Sequence, residues 1–190
     1  SLELGGKNAS VVFADCDFEK TVKGVTRAAF LNQGQVCLCG SRILVEREIY
    51  TEFVEALAVE ASSLRVGDPM ATGTDLGALI SHQHRQKVEG YIQSGLEDGG
   101  RLVCGGVRPE LPEPFTFGAW LKPTIISDLH PQSEASVEEI FGPVAVVHPF
   151  DSEEEALEIA NGVEYGLSGT VWTRDLERAH RFSAAMETGM

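Results

Sequence analysis

Two rhythms of apolar and polar positions alternate along the chain: short unbroken apolar runs, and longer stretches with a helical repeat. Ala9 to Phe13 is an apolar run of the buried-strand type. Asp17 offers an N-cap for a helix running to about Leu31, with Val22, Val25 and Ala29 near one face. Arg42 to Val45 is the next strand. Tyr50, Phe53, Val54, Leu57, Ala61 and Leu64 then recur at helical spacing and form one stripe, which Gly67-Asp68-Pro69 breaks. The pattern predicts a further helix from His82 to Glu97, ended by Gly99-Gly100, and strands at Arg101 to Cys104, Lys122 to Ile126 and Val144 to His148. Ser152 with Glu155 makes a capping box for a helix through Ala160, Gly169 to Trp172 is a strand, and Asp175 to Met186 a last helix. Strands separated by helices predict an α/β fold, a parallel open sheet with helices on both faces. No repeat, low-complexity tract or linker divides the chain, so a single domain over 1–190 is expected.

Composition narrows the function. The 190 residues suffice for a substantial core, and 43% hydrophobic with 23% charged residues is ordinary for a globular protein. Fifteen Lys and Arg face 29 Asp and Glu, and the net charge of −14 repels phosphate backbones, so nucleic acid is not an expected partner. Cys16, Cys37, Cys39 and Cys104 form no CxxC pair and no zinc-type array. With no secretory leader and no apolar run of membrane-spanning length, free thiols in a reducing cytoplasm are expected, without a membrane partner. His82 and His84 fit a solvated helix face better than a metal site, and no metal is expected. Both ends, Ser1-Leu2 and Gly189-Met190, look cut, which suggests a domain truncated on either side.

Two stretches carry candidate chemistry. In Phe30-Leu31-Asn32-Gln33-Gly34-Gln35-Val36-Cys37 a cysteine follows a flexible glycine and polar amides at a helix–loop junction. It fits either a small packing residue or a nucleophile presented to a cleft. In Leu2-Glu3-Leu4-Gly5-Gly6-Lys7-Asn8 a carboxylate stands between two leucines. It fits either a solvated strand end or a general base in a partly apolar site.

Taken together, these stretches resemble a family. Leu2 to Ala9 (LELGGKNA) is similar to the glutamate motif of the aldehyde dehydrogenase superfamily, and Phe30 to Ser41 (FLNQGQVCLCGS) to its cysteine motif. The two key residues lie 34 positions apart, the family's usual separation. A third block, Glu138-Glu139-Ile140-Phe141-Gly142-Pro143-Val144, resembles its EEIFGPV segment. Lys122-Pro123-Thr124 and Tyr165-Gly166-Leu167-Ser168 are similar too, so the resemblance runs through the whole chain.

The resemblance implies an NAD-dependent (or NADP-dependent) oxidation of a small-molecule aldehyde to a carboxylic acid. Cys37 matches the nucleophile that forms a thioester, and Glu3 the base that activates the hydrolytic water. The N–H of Cys37 matches half of an oxyanion hole. Glu139 matches the carboxylate that binds the nicotinamide ribose, and Phe141 packs near the nicotinamide. The family's cofactor-binding domain, the asparagine of its oxyanion hole and its oligomerisation segment have no counterpart here. The chain alone is therefore expected to show little or no dehydrogenase activity, and its parent is expected to be a homo-oligomer. Cys37-Leu38-Cys39, Asp15-Cys16-Asp17-Phe18 and Leu79-Ile80-Ser81-His82 resemble the 2-aminomuconate and 2-hydroxymuconate semialdehyde branch. A CoA-acylating aldehyde dehydrogenase is the alternative, which Glu3 disfavours. A non-catalytic fragment with an interaction role is another.

Overall fold

The structure, a computed structural model, describes residues 2–190. Six strands, β1 (Ala9–Val12), β2 (Arg42–Glu46), β3 (Arg101–Cys104), β4 (Thr124–Ser127), β5 (Val144–Phe150) and β6 (Gly169–Trp172), form one sheet in the order β3-β4-β5-β2-β1-β6. All neighbours pair parallel except β3 with β4, which pair antiparallel with a register shift between Leu102 and Cys104. The expected parallel sheet thus carries one reversed edge strand. The connection from β3 to β4, residues 105–123, holds no helix and turns the chain back without the helical crossover a parallel neighbour needs.

Six helices cover the sheet: α1 (Phe18–Phe30), α2 (Tyr50–Ser63), α3 (His82–Glu97), α4 (Glu134–Val137), α5 (Glu153–Asn161) and α6 (Leu176–Ala185). Strand alternation divides the core between the two faces. Val12, Ile43, Val45 and Val147 pack under Val25 and Ala29 of α1 and Phe53 and Leu57 of α2. On the other face Val144 and Val146 meet Val88 and Ile92 of α3, while Val11 and Leu44 meet Ala156 of α5 and Phe182 of α6. Full burial of each large side chain here contributes about 1.5–3 kcal/mol. Among the described residues no helix is long and apolar enough to cross a membrane.

Two local expectations differ from what forms, and the expected end of α1 near Leu31 is met. Asp17 precedes α1, but its side chain makes no cap bond; it pairs with Lys20 at 3.1 Å. The same helix stops at Phe30, and Leu31–Gly34 follows as a 3-10 turn in which Asn32 and Gln33 take positive φ. At α5, Ser152 Oγ accepts from the Glu155 N–H at 3.2 Å, while Glu155 bonds back to the N–H of Asp151 at 2.6 Å, one residue before the expected partner.

Because β1, β2, β4, β5 and β6 run the same way, the segments that enter them gather at one end of the sheet. Those segments include residues 5–8, 35–41, 138–143 and 165–168. They hold all three conspicuous motifs.

Candidate active site

Gly6 leads into β1 at a point with no room for a side chain, and Gly5 before it has little to spare. A Cβ at Gly6 would collide with the carbonyl of Cys37 and lie 2.9 Å from Asn8 Oδ1; at Gly5 it would meet Glu139 Oε2 at 3.0 Å. The Gly6 N–H donates to Glu139 Oε1 at 3.0 Å. Two residues on, buried Asn8 donates from Nδ2 to the carbonyls of Cys37 (2.8 Å) and Cys39 (2.9 Å). Its Oδ1 accepts from the Ser168 N–H at 3.0 Å. One amide therefore ties the lead-in to β1, the cysteine loop and the entry to β6.

The cysteine loop is built by leaving the helix abruptly. Asn32, Gln33 and Gly34 take φ of 51°, 58° and 69° in succession. Such left-handed residues cost on the order of 1–2 kcal/mol each unless glycine supplies them. At Gly34 a Cβ would strike the Gly142 carbonyl, so glycine is required there twice over. A tight turn follows, closed by the Cys39 N–H on the Val36 carbonyl at 3.0 Å, with Cys37 inside it. Cys37 is half-buried and free. Among the described residues its N–H has no acceptor. Cys39 is buried, and burial pushes its thiol up to about 11. The two thiols thus divide into one presented and one packed.

The third segment, residues 138–143, runs from the end of α4 to β5. Ile140 is buried in the core under α3, while Phe141 takes φ 58° and keeps 38% of its surface exposed. Its carbonyl accepts a 2.6 Å hydrogen bond from His84 Nε2. Gly6, Gly34, Val36, Glu139 and Phe141 line one narrow crevice.

Beneath the crevice lies buried positive charge. Arg42 donates from Nε to the Lys7 carbonyl (2.9 Å) and from its two terminal nitrogens to the Ile159 and Ala160 carbonyls (2.7 Å each). The C-terminal end of the α5 dipole thereby compensates the guanidinium. Lys7 is 1% exposed, and among the described residues its Nζ has no partner. Burial and the Arg42 charge push its ammonium down to about 7, against the pull of Glu138 and Glu139. Buried His148 is lowered to about 4, mainly by burial, and stays neutral at pH 7; its Nε2 lies 3.1 Å from Ser136 Oγ.

The unfolded chain keeps the Lys7 proton up to about 10.5, whereas the folded chain releases it near 7. Between those values the unfolded state binds more protons, so this residue makes stability rise with pH across that window, and its penalty is fully present below it. Lys7→Met is expected to stabilise the fold by roughly 2–4 kcal/mol at pH 6 and to flatten that rise. Urea denaturation from pH 6 to 10 checks this; parallel curves for the two proteins would refute it.

Residues 1–190 match the aldehyde dehydrogenase family throughout. The chain belongs to that family. It is 48% identical over 190 residues to the 2-hydroxymuconic semialdehyde dehydrogenase of Pseudomonas putida and to a 2-aminomuconic 6-semialdehyde dehydrogenase of a Pseudomonas species. All of this chain is covered in both, and it spans 39% of either relative's length. The crystal structure of betaine aldehyde dehydrogenase from Staphylococcus aureus, in complex with NAD+, superposes with a TM-score of 0.95 at 36% identity. That superposition covers 99% of this chain and 37% of the other.

Of the residues singled out by the aldehyde dehydrogenase motifs, the structure gathers Cys37, Glu139 and Phe141 around Gly6 and Gly34. Glu3 lies three residues before this junction. Glu3 is exposed, as are Leu2 (83%) and Leu4 (54%), so its two leucines do not build the apolar surround the sequence suggested. Asn8 and Lys7 were not singled out, and His84 was read only as part of a solvated helix face, whereas its ring bonds the Phe141 carbonyl. Asn8 and Lys7 sit inside the glutamate motif, but nothing local distinguishes an amide that bridges three segments from one that faces water.

Proposed function

We propose that this chain is the catalytic segment of a longer NAD(P)-dependent aldehyde dehydrogenase. It oxidises an aldehyde of the muconic semialdehyde class to the carboxylic acid through a thioester on Cys37. The observation that carries this reading is the joint made by Gly6 and Asn8. It sets a free, half-buried thiol, an unsatisfied N–H and the Glu139–Phe141 segment at one end of the sheet.

The Cys37 sulfur adds to the aldehyde carbon, and the carbonyl oxygen gains negative charge within reach of the Cys37 N–H. One such donor is worth about 10²–10³ in rate. Loss of hydride from the adduct carbon leaves the thioester; a nicotinamide, when bound, supplies the acceptor. Glu3 then takes a proton from water as the water attacks the thioester, releasing the acid and restoring the thiol.

The residues present fit such a cofactor. Glu139 is held on one oxygen by the Gly6 N–H, so its carboxylate is oriented to accept from a ribose hydroxyl, and the Phe141 ring presents an apolar face for a nicotinamide. The NAD+ complex of the staphylococcal relative supports NAD as the cofactor.

Glu3→Gln in the full-length enzyme tests the assignment. Steady-state turnover is expected to fall about 10²–10⁴-fold while NADH still appears in a burst of about one per site. Intact mass should show an acyl group on Cys37. A variant that turns over normally, or that stalls with no acyl adduct, would refute the roles of base and nucleophile. Release of acyl-CoA on adding CoA would favour the CoA-acylating alternative.

A further inference from the structure

Phe141 combines two costs that a structural residue avoids. Its backbone sits at φ 58°, where a residue other than glycine is strained by about 1–3 kcal/mol, and its ring remains over a third exposed instead of joining the core. Such strain persists only where the surroundings hold it. On the N-terminal side the hold is the buried Ile140 side chain and the Gly6–Glu139 hydrogen bond.

On the C-terminal side the hold comes from one face of α3. A Cβ at Gly142 would lie 2.6 Å from a methyl of buried Val88, so the loop is pressed onto that residue. One helical turn earlier on the same face, His84 Nε2 donates to the Phe141 carbonyl at 2.6 Å, and its ring meets the Phe141 ring edge-on at 6.2 Å. The backbone of His84 is itself fixed, because its main-chain N–H donates at 3.1 Å to the Ser81 Oγ that caps α3.

We propose that His84 is a positioning residue: its ring N–H holds Phe141 in the strained pose that turns the phenyl face toward the nicotinamide. This rests on the reading of Phe141 as a cofactor contact.

The test is NAD+ affinity of the full-length enzyme, measured by titration, with KM and kcat alongside. His84→Ala is expected to weaken NAD+ binding about 5–10-fold, with a smaller change in kcat and little change in melting temperature. His84→Gln, whose amide N–H reaches the same position, should stay within about twofold of wild type. In a Phe141→Ala background, His84→Ala should add nothing, because its effect passes through the missing ring. An equal loss in both backgrounds would overturn the proposal, since His84 would then act without Phe141. A lowered melting temperature with unchanged affinity would overturn it too, as a merely structural bond. If Phe141→Ala itself leaves NAD+ affinity intact, the cofactor role of Phe141 falls, and this proposal with it. A silent His84→Ala beside an impaired Phe141→Ala defeats the tether alone.

Discussion

Cys37→Ala in the full-length enzyme is expected to lower kcat/KM by at least about 10⁴-fold, because the covalent route loses its nucleophile outright. Stability should barely change. Cys37 lies half-buried in a turn held by the Val36–Cys39 backbone bond and by Asn8 on its carbonyl, and both survive the substitution. Cys39→Ala inverts the pattern. Its thiol is buried against the Leu31 carbonyl, so removal should cost about 1–2 kcal/mol of stability and leave turnover within a few-fold. Steady-state kinetics and denaturation on the same two variants decide the matter. Comparable activity loss in both would mean that the loop, and not one sulfur, had been disturbed.

Asn8→Asp should do the largest damage of any isosteric change. Asparagine donates twice from Nδ2 and accepts once at Oδ1; an ionised carboxylate accepts only. The Cys37 and Cys39 carbonyls, 2.8 and 2.9 Å away, would then face an oxygen instead of a donor. Two lost bonds plus buried repulsion predict a destabilisation of about 3–5 kcal/mol. Turnover should fall about 10²-fold or more as the thiol drifts from its working position. Urea denaturation together with the rate of Cys37 alkylation reads both effects. Wild-type stability and reactivity in the variant would show that the amide bridge holds nothing.

Where the fold was legible, a local signal sat at each end of the element. The expected span of α3, His82 to Glu97, was matched because Ser81 caps it and Gly99, at φ 93°, follows it. The stripe on α2 was equally plain, since Phe53, Val54, Leu57 and Ala61 are all buried. Short or relational features were not legible. α4 has four residues, too few to show a period. The reversed direction of β3 leaves no mark on alternation, which is the same for both senses of pairing. Asp17 and Asp175 are the same residue before a helix, yet only Asp175 caps, accepting from the Glu177 and Arg178 N–H groups. Lys20, three residues beyond Asp17, takes that carboxylate instead.

The candidate site divides along the same line. Cys37, Glu139 and Phe141 stood out because their motifs are contiguous strings. Asn8 and His84 did not, because what distinguishes them is a partner far along the chain: 29 and 31 positions away for the carbonyls of Asn8, 57 for His84. The loss of the expected apolar pocket at Glu3 has the same origin. Two flanking leucines say nothing about which way a lead-in segment faces.

The bond from the Ser168 N–H to Asn8 Oδ1 joins positions 160 apart, nearly the whole span of the segment. It also decides which end of the amide points at the cysteine loop. In the order of synthesis, then, the residue that aligns the thiol precedes by 160 positions the one that orients it. A chain grown past Cys37 but not yet to Ser168 would carry that sulfur without its full alignment, which the entry to β6 completes.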